Sequence, residues 1–450
     1  MFAIIIIERS DNMKYYCIGI KGSGMATLAN ILHDLGHEVS GYDDAKGYKF
    51  TQEGLDKRGI KIYYDGNHDI DKDTIVTYSV AFSKDHPEMK RVKELGLRID
   101  SYHEVMGDLT KQFETTSVCG THGKTTTSLL ISHILFNTKG CNYFVGDGQG
   151  YADKDNKYFV VESDEFNRHF LAYHPTNTLL TNIELDHTEI YKDIDDLIQT
   201  FETFVNKTTR LLVMCGDDKN IRKLKIRDGI ETLYYGFNNN NDIIAKNIEL
   251  TSSGSEFDVY IKDKLYSHFS LPLFGEHMIL NALGTIGILQ SYNISADDIN
   301  KYFKNFEGAK RRFKVDEYKN YVIIDDYAHH PTEISVTIDS ARQKYPDKDI
   351  IAIFLPNTYS RTEALMDDFV KALEKADKAY VMDIHCDRED PKDYPGVTSD
   401  TLIKKIPNAE KVSVETVDKL FNHKNSVLCF MSCTNIYEII NAFKEKMNKD

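Results

Sequence analysis

Apolar and polar positions along this chain follow two alternating regimes. Short apolar runs that end in glycine, threonine or an acid are separated by longer stretches with helical spacing. The first run, residues 15–20, leads into Lys21-Gly22-Ser23-Gly24 and a helical stretch over 25–35. A second strand is predicted at 37–40, ending at Gly41-Tyr42-Asp43. Strand, glycine turn, helix and strand make the start of a βαβ unit. Another buried strand is predicted at 73–79. The pattern restarts at Ser117-Val118-Cys119, which runs through Gly120 to Thr126 into a helix reaching Leu135. Strands at 158–161 and 179–181 follow. Residues 257–261 alternate as an antiparallel strand does, and 280–291 read as a helix. A third segment begins near Phe313, with strands at 321–324, 350–354, 379–382 and 427–430 and a helix at 363–375.

Three such segments in 450 residues agree with the usual size of domains, which suggests about three. The expected fold class is α/β. A Rossmann-like N-terminal domain spans 1–112, a central domain with a parallel sheet and a phosphate-binding loop spans 113–312, and a Rossmann-like C-terminal domain spans 313–450. The chain is 41% hydrophobic and 28% charged, enough apolar material for several cores. Its formal net charge of −15 offers no broad basic footprint, so nucleic acid is not an expected partner. Any phosphate must be held by local devices: glycine loops, helix starts and single cationic side chains. Seven scattered cysteines without a C-x-x-C pair read as reduced thiols of a cytoplasmic protein, not as a disulfide frame or a zinc site. The early apolar run, residues 2–7, is too short for a membrane span or a signal segment, and no membrane partner is expected. Residues 1–12 read as an appendage or a mis-set start, because Met13-Lys14 directly precedes the first strand.

Four constellations carry chemistry. In Gly19-x-x-Gly22-x-Gly24, between a strand and a helix, glycines let the backbone approach a pyrophosphate and the helix start attracts its charge. Asp43 lies where a ribose-binding acid falls in a dinucleotide site. The same spacing also fits a plain tight turn, and it departs from strict G-x-G-x-x-G. Gly120-Thr121-His122-Gly123-Lys124-Thr125-Thr126 is a shortened phosphate loop, with Val118 where the longer pattern has its first glycine. There Lys124 would neutralise a transferred phosphoryl group and Thr125 would hold Mg²⁺ of an ATP or GTP complex. Glu162 and His187 each stand just past a predicted strand end, the edge where open parallel sheets bind ligands, and could coordinate a divalent ion. The fourth is Arg311-Arg312-Phe313 with Asp325-Asp326-Tyr327-Ala328-His329-His330-Pro331-Thr332-Glu333, a crowd of titratable groups at a strand end. A capped loop is the plainer account of it.

Taken in order, these features resemble the Mur ligase family, over essentially the whole chain from about Tyr15. The matching stretches are GIKGSGM at 19–25, GTHGKTTT at 120–127, TNIELDH at 181–187, GAKRRF at 308–313 and DDYAHHPTE at 325–333. The last points to the branch whose amino acid is L-alanine. The resemblance implies a three-domain cytoplasmic enzyme of cell-wall synthesis that joins L-alanine to the carboxylate of UDP-N-acetylmuramate, using ATP and Mg²⁺ and passing through an acyl phosphate. It implies that Gly19, Gly22, Ser23, Gly24, Met25 and Asp43 hold the UDP sugar. Gly120, Thr121, His122, Gly123, Lys124, Thr125 and Thr126, with His277 and Asn281, would hold ATP. Arg312 and Asp326 match C-terminal-domain residues that reach ATP. Lys124, Glu162 and His187 would be catalytic, Thr125, Glu162 and His187 metal ligands, and Tyr327, His329 and Arg361 the alanine pocket.

Three stretches depart from the family pattern. Met278 stands where the family usually has Asn. Phe354-Leu355-Pro356-Asn357-Thr358 replaces the usual F-Q-P-H, and Met431-Ser432-Cys433-Thr434-Asn435-Ile436 replaces a glycine-rich G-A-G-D-I. They bear on one adenine contact and on the amino-acid pocket. The motifs also admit a sister ligase that attaches a recycled peptide to the same UDP sugar, and a catalytically impaired homologue that binds UDP sugar or ATP. The first loop alone admits an NAD-linked dehydrogenase, against which the ATP loop argues.

Overall fold

The computed structural model describes residues 12–146, 148–309, 311–386 and 389–448. Residues 1–11 of the expected 1–12 appendage and Lys310 of the GAKRRF stretch lie outside the described residues. The chain packs into two compact units. One gathers the chain up to Ile183 with Ile198–Ile243 and Ala282–Tyr302; the other gathers Glu184–Leu197, Ile244–Asn281 and the chain from Phe303.

The first unit holds two sheets. The N-terminal one has five parallel strands in the order Lys61–Tyr63, Glu38–Tyr42, Lys14–Ile18, Ile75–Tyr78, Arg98–Ser101. Its first strand stops at Ile18, two residues before the expected end, because Gly19 takes φ +81°, a left-handed conformation that ends the pairing. Helix Ser23–Asp34 buries Met25, Ala26, Leu28, Ala29, Ile31 and Leu32.

The second sheet of this unit runs Glu231–Gly236, Leu211–Cys215, Asn177–Leu180, Glu114–Cys119, Tyr158–Glu162, Cys141–Val145, Gln149–Tyr151. Among these seven strands, only Gln149–Tyr151 is antiparallel to its neighbour. Leu211–Cys215 is buried at all five positions, the continuous apolar pattern of a strand covered on both faces. Glu114–Cys119 lies between Tyr158–Glu162 and Asn177–Leu180, all three parallel. The loops after Cys119, Glu162 and Leu180 therefore emerge at one carboxyl edge, the ligand edge of such sheets.

In the second unit, Gly254–Ile261 pairs antiparallel with Lys264–Leu271. A six-stranded sheet runs Lys314–Tyr318, Tyr321–Asp326, Val427–Met431, Ile350–Phe354, Lys378–Val381, Ala409–Lys411, parallel except for its first pair. Its alternate residues feed two cores: Val322, Ile324, Ala352 and Phe354 on one face, Ile323, Ile351, Ile353 and Phe430 on the other. The helix expected over 363–375 is two helices, Tyr359–Ala364 and Met366–Leu373. Leu365 between them (φ −115°, ψ 21°) leaves helical geometry. Among the described residues, no helix is long and apolar enough to cross a membrane.

A buried polar network, with the exposed Arg210 at its edge, lies in the first unit. The Tyr292 hydroxyl lies 2.6 Å from Thr116 Oγ1 and accepts from Asn177 Nδ2 at 2.7 Å, while Arg210 Nε donates to Asn177 Oδ1 at 3.0 Å. Removing the tyrosine hydroxyl leaves Thr116 and Asn177 buried with fewer partners. Tyr292→Phe is expected to cost about 1–3 kcal/mol of stability, read as a lower urea midpoint at unchanged m-value. An unshifted midpoint would show that the network carries no net stability.

Candidate active site

The first glycine loop is shaped from within. Gly19 and Ile20 N–H groups both donate to Tyr42 O, at 2.8 and 3.1 Å, and Gly22 N–H donates to Gly19 O at 3.0 Å. Gly22 precedes helix Ser23–Asp34, and no side chain caps that helix start. The backbone N–H groups of Ser23, Gly24 and Met25 thus open a helix in the arrangement that favours an anion. Gly24 lies against Tyr102, whose hydroxyl would be 3.3 Å from a β-carbon there, and a β-carbon at Gly148 would meet Ser23 Oγ at 2.7 Å. Asp43 is buried, and both its oxygens accept backbone N–H groups of the loop: Lys21 to Oδ2 at 2.9 Å and Ala45 to Oδ1 at 3.0 Å. The structure thus gives Asp43 to the loop's own backbone. Lys21, also buried, donates its Nζ to Ala45 O and Gly47 O at 2.6 and 2.5 Å.

The second glycine loop leaves strand Glu114–Cys119 and enters helix Lys124–Thr138 through Gly123 (φ +82°). Gly120 must be glycine for two reasons. Its φ is +132°, and a β-carbon would stand 2.1 Å from Thr181 Oγ1. The neighbouring strand's exit holds the loop: Thr121 N–H donates to Asn182 O at 3.1 Å and His122 N–H to Asn182 Oδ1 at 2.8 Å, and Thr181 Oγ1 donates to His122 O at 2.6 Å. Lys124 is bent back over this loop. Its Nζ donates to Gly120 O at 2.6 Å, Thr121 O at 3.0 Å and Glu165 Oε2 at 2.7 Å, with Asp164 Oδ1 at 3.8 Å. Burial alone would lower the Lys124 ammonium; Glu165 and Asp164 hold it above its ordinary value. Thr125 Oγ1 donates to Glu162 Oε1 at 2.9 Å, and Gly146 N–H donates to Glu162 Oε2 at 2.7 Å. Desolvation pushes the Glu162 carboxyl up in spite of those bonds. Thr126 is buried in the helix. Glu165 and Asn182, which touch Lys124 and His122, were not among the sequence-predicted residues. Glu165 sits in the same acidic run as Glu162, and Asn182 in the TNIELDH stretch.

The second unit carries the remaining predicted residues. His277 and Asn281 lie on helix Glu276–Ser291. Desolvation lowers the His277 imidazole to about 4, so it is neutral near pH 7. Asn281 Nδ2 reaches Met278 Sδ at 3.8 Å, so a weak thioether contact stands at the departing position. Asp326 is buried and accepts Phe313 N–H at 2.7 Å and Ala328 N–H at 2.8 Å. Burial pushes its carboxyl up to about 6 against the opposing pull of Arg312. Arg312 lies 5.0 Å from the centre of the Tyr327 ring and 3.6 Å from Glu333 Oε1. His329 Nδ1 is 2.9 Å from Tyr327 O and 3.1 Å from Glu333 Oε2, and its ring meets the Tyr327 ring edge-on at 5.5 Å. His330 and Glu333 form the capping box of helix Pro331–Lys344, so half of the histidine pair is structural. Arg361 gives Nε and Nη2 to Asp186 Oδ1 at 2.9 and 2.8 Å. Next to it His187 sits at φ +51°, with Nδ1 3.5 Å from Glu189 Oε1.

Two of the three departures have a local account. Asn357 donates Nδ2 to His385 O at 3.2 Å and bridges that segment. The stretch that replaces the glycine-rich one is held by side chains. Ser432 Oγ donates to Leu355 O, Thr434 N–H donates to Ser432 Oγ, and Arg311 Nη2 donates to Ser432 O and Thr434 O, all at 3.0–3.1 Å. Within the first unit the structure brings Lys124, Thr125 and Glu162 together. Within the second it brings together Arg312, Asp326, Tyr327 and His329, and it sets Arg361 beside His187 through Asp186.

Three family descriptions match successive parts of the chain: the Mur ligase family catalytic domain at residues 14–114, the Mur ligase middle domain at 118–289, and the Mur ligase glutamate ligase domain at 311–428. The UDP-N-acetylmuramate–L-alanine ligase of Lacticaseibacillus paracasei is 42% identical over 430 residues, covering 96% of this chain and 98% of the relative. Among solved structures, the UDP-N-acetylmuramate–alanine ligase MurC of Thermotoga maritima matches with a TM-score of 0.79 at 25% identity, covering 98% of this chain and 100% of that one. A murein peptide ligase from Psychrobacter arcticus shares the fold, with a TM-score of 0.66 at 21% identity over 96% and 99% of the two chains. Family matches along successive segments, with this identity over nearly the full length, place the chain in the Mur ligase family.

Proposed function

We propose that this protein joins L-alanine to the lactyl carboxylate of UDP-N-acetylmuramate, with conversion of ATP to ADP and phosphate, in peptidoglycan synthesis in the cytoplasm. The observation that carries the reading is the Lys124 ammonium, clamped between two loop carbonyls and Glu165 at the head of a helix, with Thr125 on Glu162 beside it. That is a phosphate cradle in which positive charge is already in place. Phosphoryl transfer asks a protein mainly for positioning and charge stabilisation.

The domain limits that go with this reading are 1–112 for the UDP sugar, 113–312 for ATP and 313–450 for the amino acid. The substrate carboxylate attacks the γ-phosphorus of ATP, ADP leaves, and an acyl phosphate forms. The alanine amine then adds to the acyl carbon, and phosphate departs from the tetrahedral intermediate. Lys124 binds the γ-phosphate oxygens, exchanging its carbonyl and carboxylate partners for them, while Gly120, Thr121, His122, Gly123 and Thr126 shape the cradle. His277, Asn281, Arg312 and Asp326 serve ATP. Gly19, Gly22, Ser23, Gly24 and Met25 take the UDP pyrophosphate, and Asp43 fixes the shape of their loop. Tyr327, His329 and Arg361 receive alanine.

Thr125 and Glu162 offer hard oxygen ligands 2.9 Å apart, suited to Mg²⁺. The upward push on the Glu162 carboxyl is also what a nearby divalent cation would reverse. His187 is the proposed ligand of a second divalent ion. When bound, such ions supply positive charge against phosphate oxygens.

Phosphate release from ATP should require both UDP-N-acetylmuramate and L-alanine. Release with the cell-wall tripeptide in place of alanine would move the protein to peptide recycling, and no release with any amino donor would leave a binding protein. Lys124→Ala should slow phosphate release on the order of 100-fold or more; near-normal turnover would mean the loop is misassigned. His329→Ala should raise the apparent KM for L-alanine about ten-fold, the loss of one charge-assisted contact, and an unchanged KM would remove His329 from the pocket.

A further inference from the structure

We infer that Asp186 and Arg361 form one receptor for the two ends of the amino acid, with Asp186 the acceptor of its ammonium group. The inference rests on the amino-acid site proposed above and adds to it a residue that the Tyr327, His329 and Arg361 set lacks. The two side chains come from distant segments, 175 residues apart, and both are buried, 9% and 8% exposed.

The geometry of the pair is unusual for a purely structural ion pair. A guanidinium and a carboxylate usually meet fork to fork, each nitrogen on its own oxygen. Here Nε and Nη2 of Arg361 both donate to Oδ1 of Asp186, and the His187 backbone N–H donates to that same oxygen at 2.8 Å. Among the described residues, no hydrogen bond reaches Asp186 Oδ2 or leaves Arg361 Nη1. His187 Nε2 lies 4.0 Å from Oδ2. One carboxylate oxygen is saturated and the other is left over, beside a guanidinium with an unused edge.

An unused anion beside an unused cation edge is the complement of an α-amino acid zwitterion, whose carboxylate and ammonium groups sit on one carbon. Arg361 Nη1 would take the carboxylate and Asp186 Oδ2 the ammonium, with the existing bonds to Oδ1 intact. Burying the pair carries a desolvation cost, and a zwitterion that satisfies both leftover atoms offsets part of it. The surroundings agree with this use. Burial disfavours charge on Asp186, and the Arg361 guanidinium bonded to it through two N–H groups favours the anion. A 2-hydroxy acid, with a hydroxyl in place of the ammonium, would give Asp186 a neutral hydrogen bond in place of a charge-paired one.

The test uses this 450-residue chain with ATP and UDP-N-acetylmuramate. Three quantities are compared in wild type and Asp186→Asn: acyl phosphate formed without amino acid, trapped as the hydroxamate by hydroxylamine; the apparent KM for L-alanine; and inhibition by L-lactate. Asparagine keeps the oxygen that Arg361 and His187 use and replaces the free one with an amide that cannot accept an ammonium. The expected result is hydroxamate within about two-fold of wild type and an alanine KM raised about 30-fold or more, as for loss of a buried charge contact. Lactate inhibition, which involves a hydroxyl and no charge at this atom, weakens far less, so the preference for alanine over lactate falls. A preference retained in Asp186→Asn overturns the inference. Loss of hydroxamate in the variant also overturns it, since Asp186 would then act through His187 or the fold. Wild-type protein that forms hydroxamate but does not use alanine would instead defeat the proposed function.

Discussion

A lysine ammonium removed from water must be surrounded by negative charge, and the first unit is arranged around that requirement at Lys124. Its side chain is 12% exposed, and its partner Glu165 is 1% exposed. Such a pair is tolerable only when the geometry is good and the remaining hydrogen bonds are filled. Here two loop carbonyls fill them. The carbonyls can point inward only because Gly120 adopts a backbone that no side chain could share with Thr181. Thr181 and Asn182 are in place because Asn177–Leu180 runs parallel to Glu114–Cys119 in fixed register. Sheet topology, glycine placement and the charge of one lysine thus form a single constraint.

The second unit applies the same logic to the opposite end of the proposed reaction. Tyr321–Asp326 ends in the buried Asp326, whose carboxylate ties down the backbone at Phe313 and Ala328. That places Tyr327 and His329 on a short rigid turn, and the capping box of His330 and Glu333 starts a helix directly behind them. Rigid support of this kind is what a binding site needs if its contacts are to be selective. Arg361 is fixed in a different way, by a carboxylate distant in sequence.

The chain advertised the architecture clearly, and with it the loop proposed here as the phosphate cradle. Strand, glycine loop and helix recur where the apolar runs put them, and Lys124 with Thr125 can be identified from spacing alone. Other features needed three dimensions. The run Glu162-Ser163-Asp164-Glu165 offers three acids, and only the turn after the strand shows that Glu162 meets Thr125 while Glu165 meets Lys124. Asp43 has the position of a ribose acid, yet its oxygens face the loop's own N–H groups, a matter of side-chain direction that spacing does not encode. The helix over 363–375 divides at Leu365, where no proline or glycine marks a break. The partnership of Asp186 with Arg361 spans 175 positions and has no local signature. Local pattern reports elements and loops; long-range charge pairing is set by the sheet that brings the segments together.

The central claim is that the lysine cradle activates a carboxylate by giving it phosphate, so the oxygen that leaves with phosphate must come from that carboxylate. The most direct measurement supplies UDP-N-acetylmuramate with ¹⁸O in its lactyl carboxylate, together with ATP and L-alanine, and examines the released phosphate by mass spectrometry. The account predicts a single ¹⁸O atom carried into phosphate for each amide bond formed. Phosphate released without label while the amide forms would contradict it.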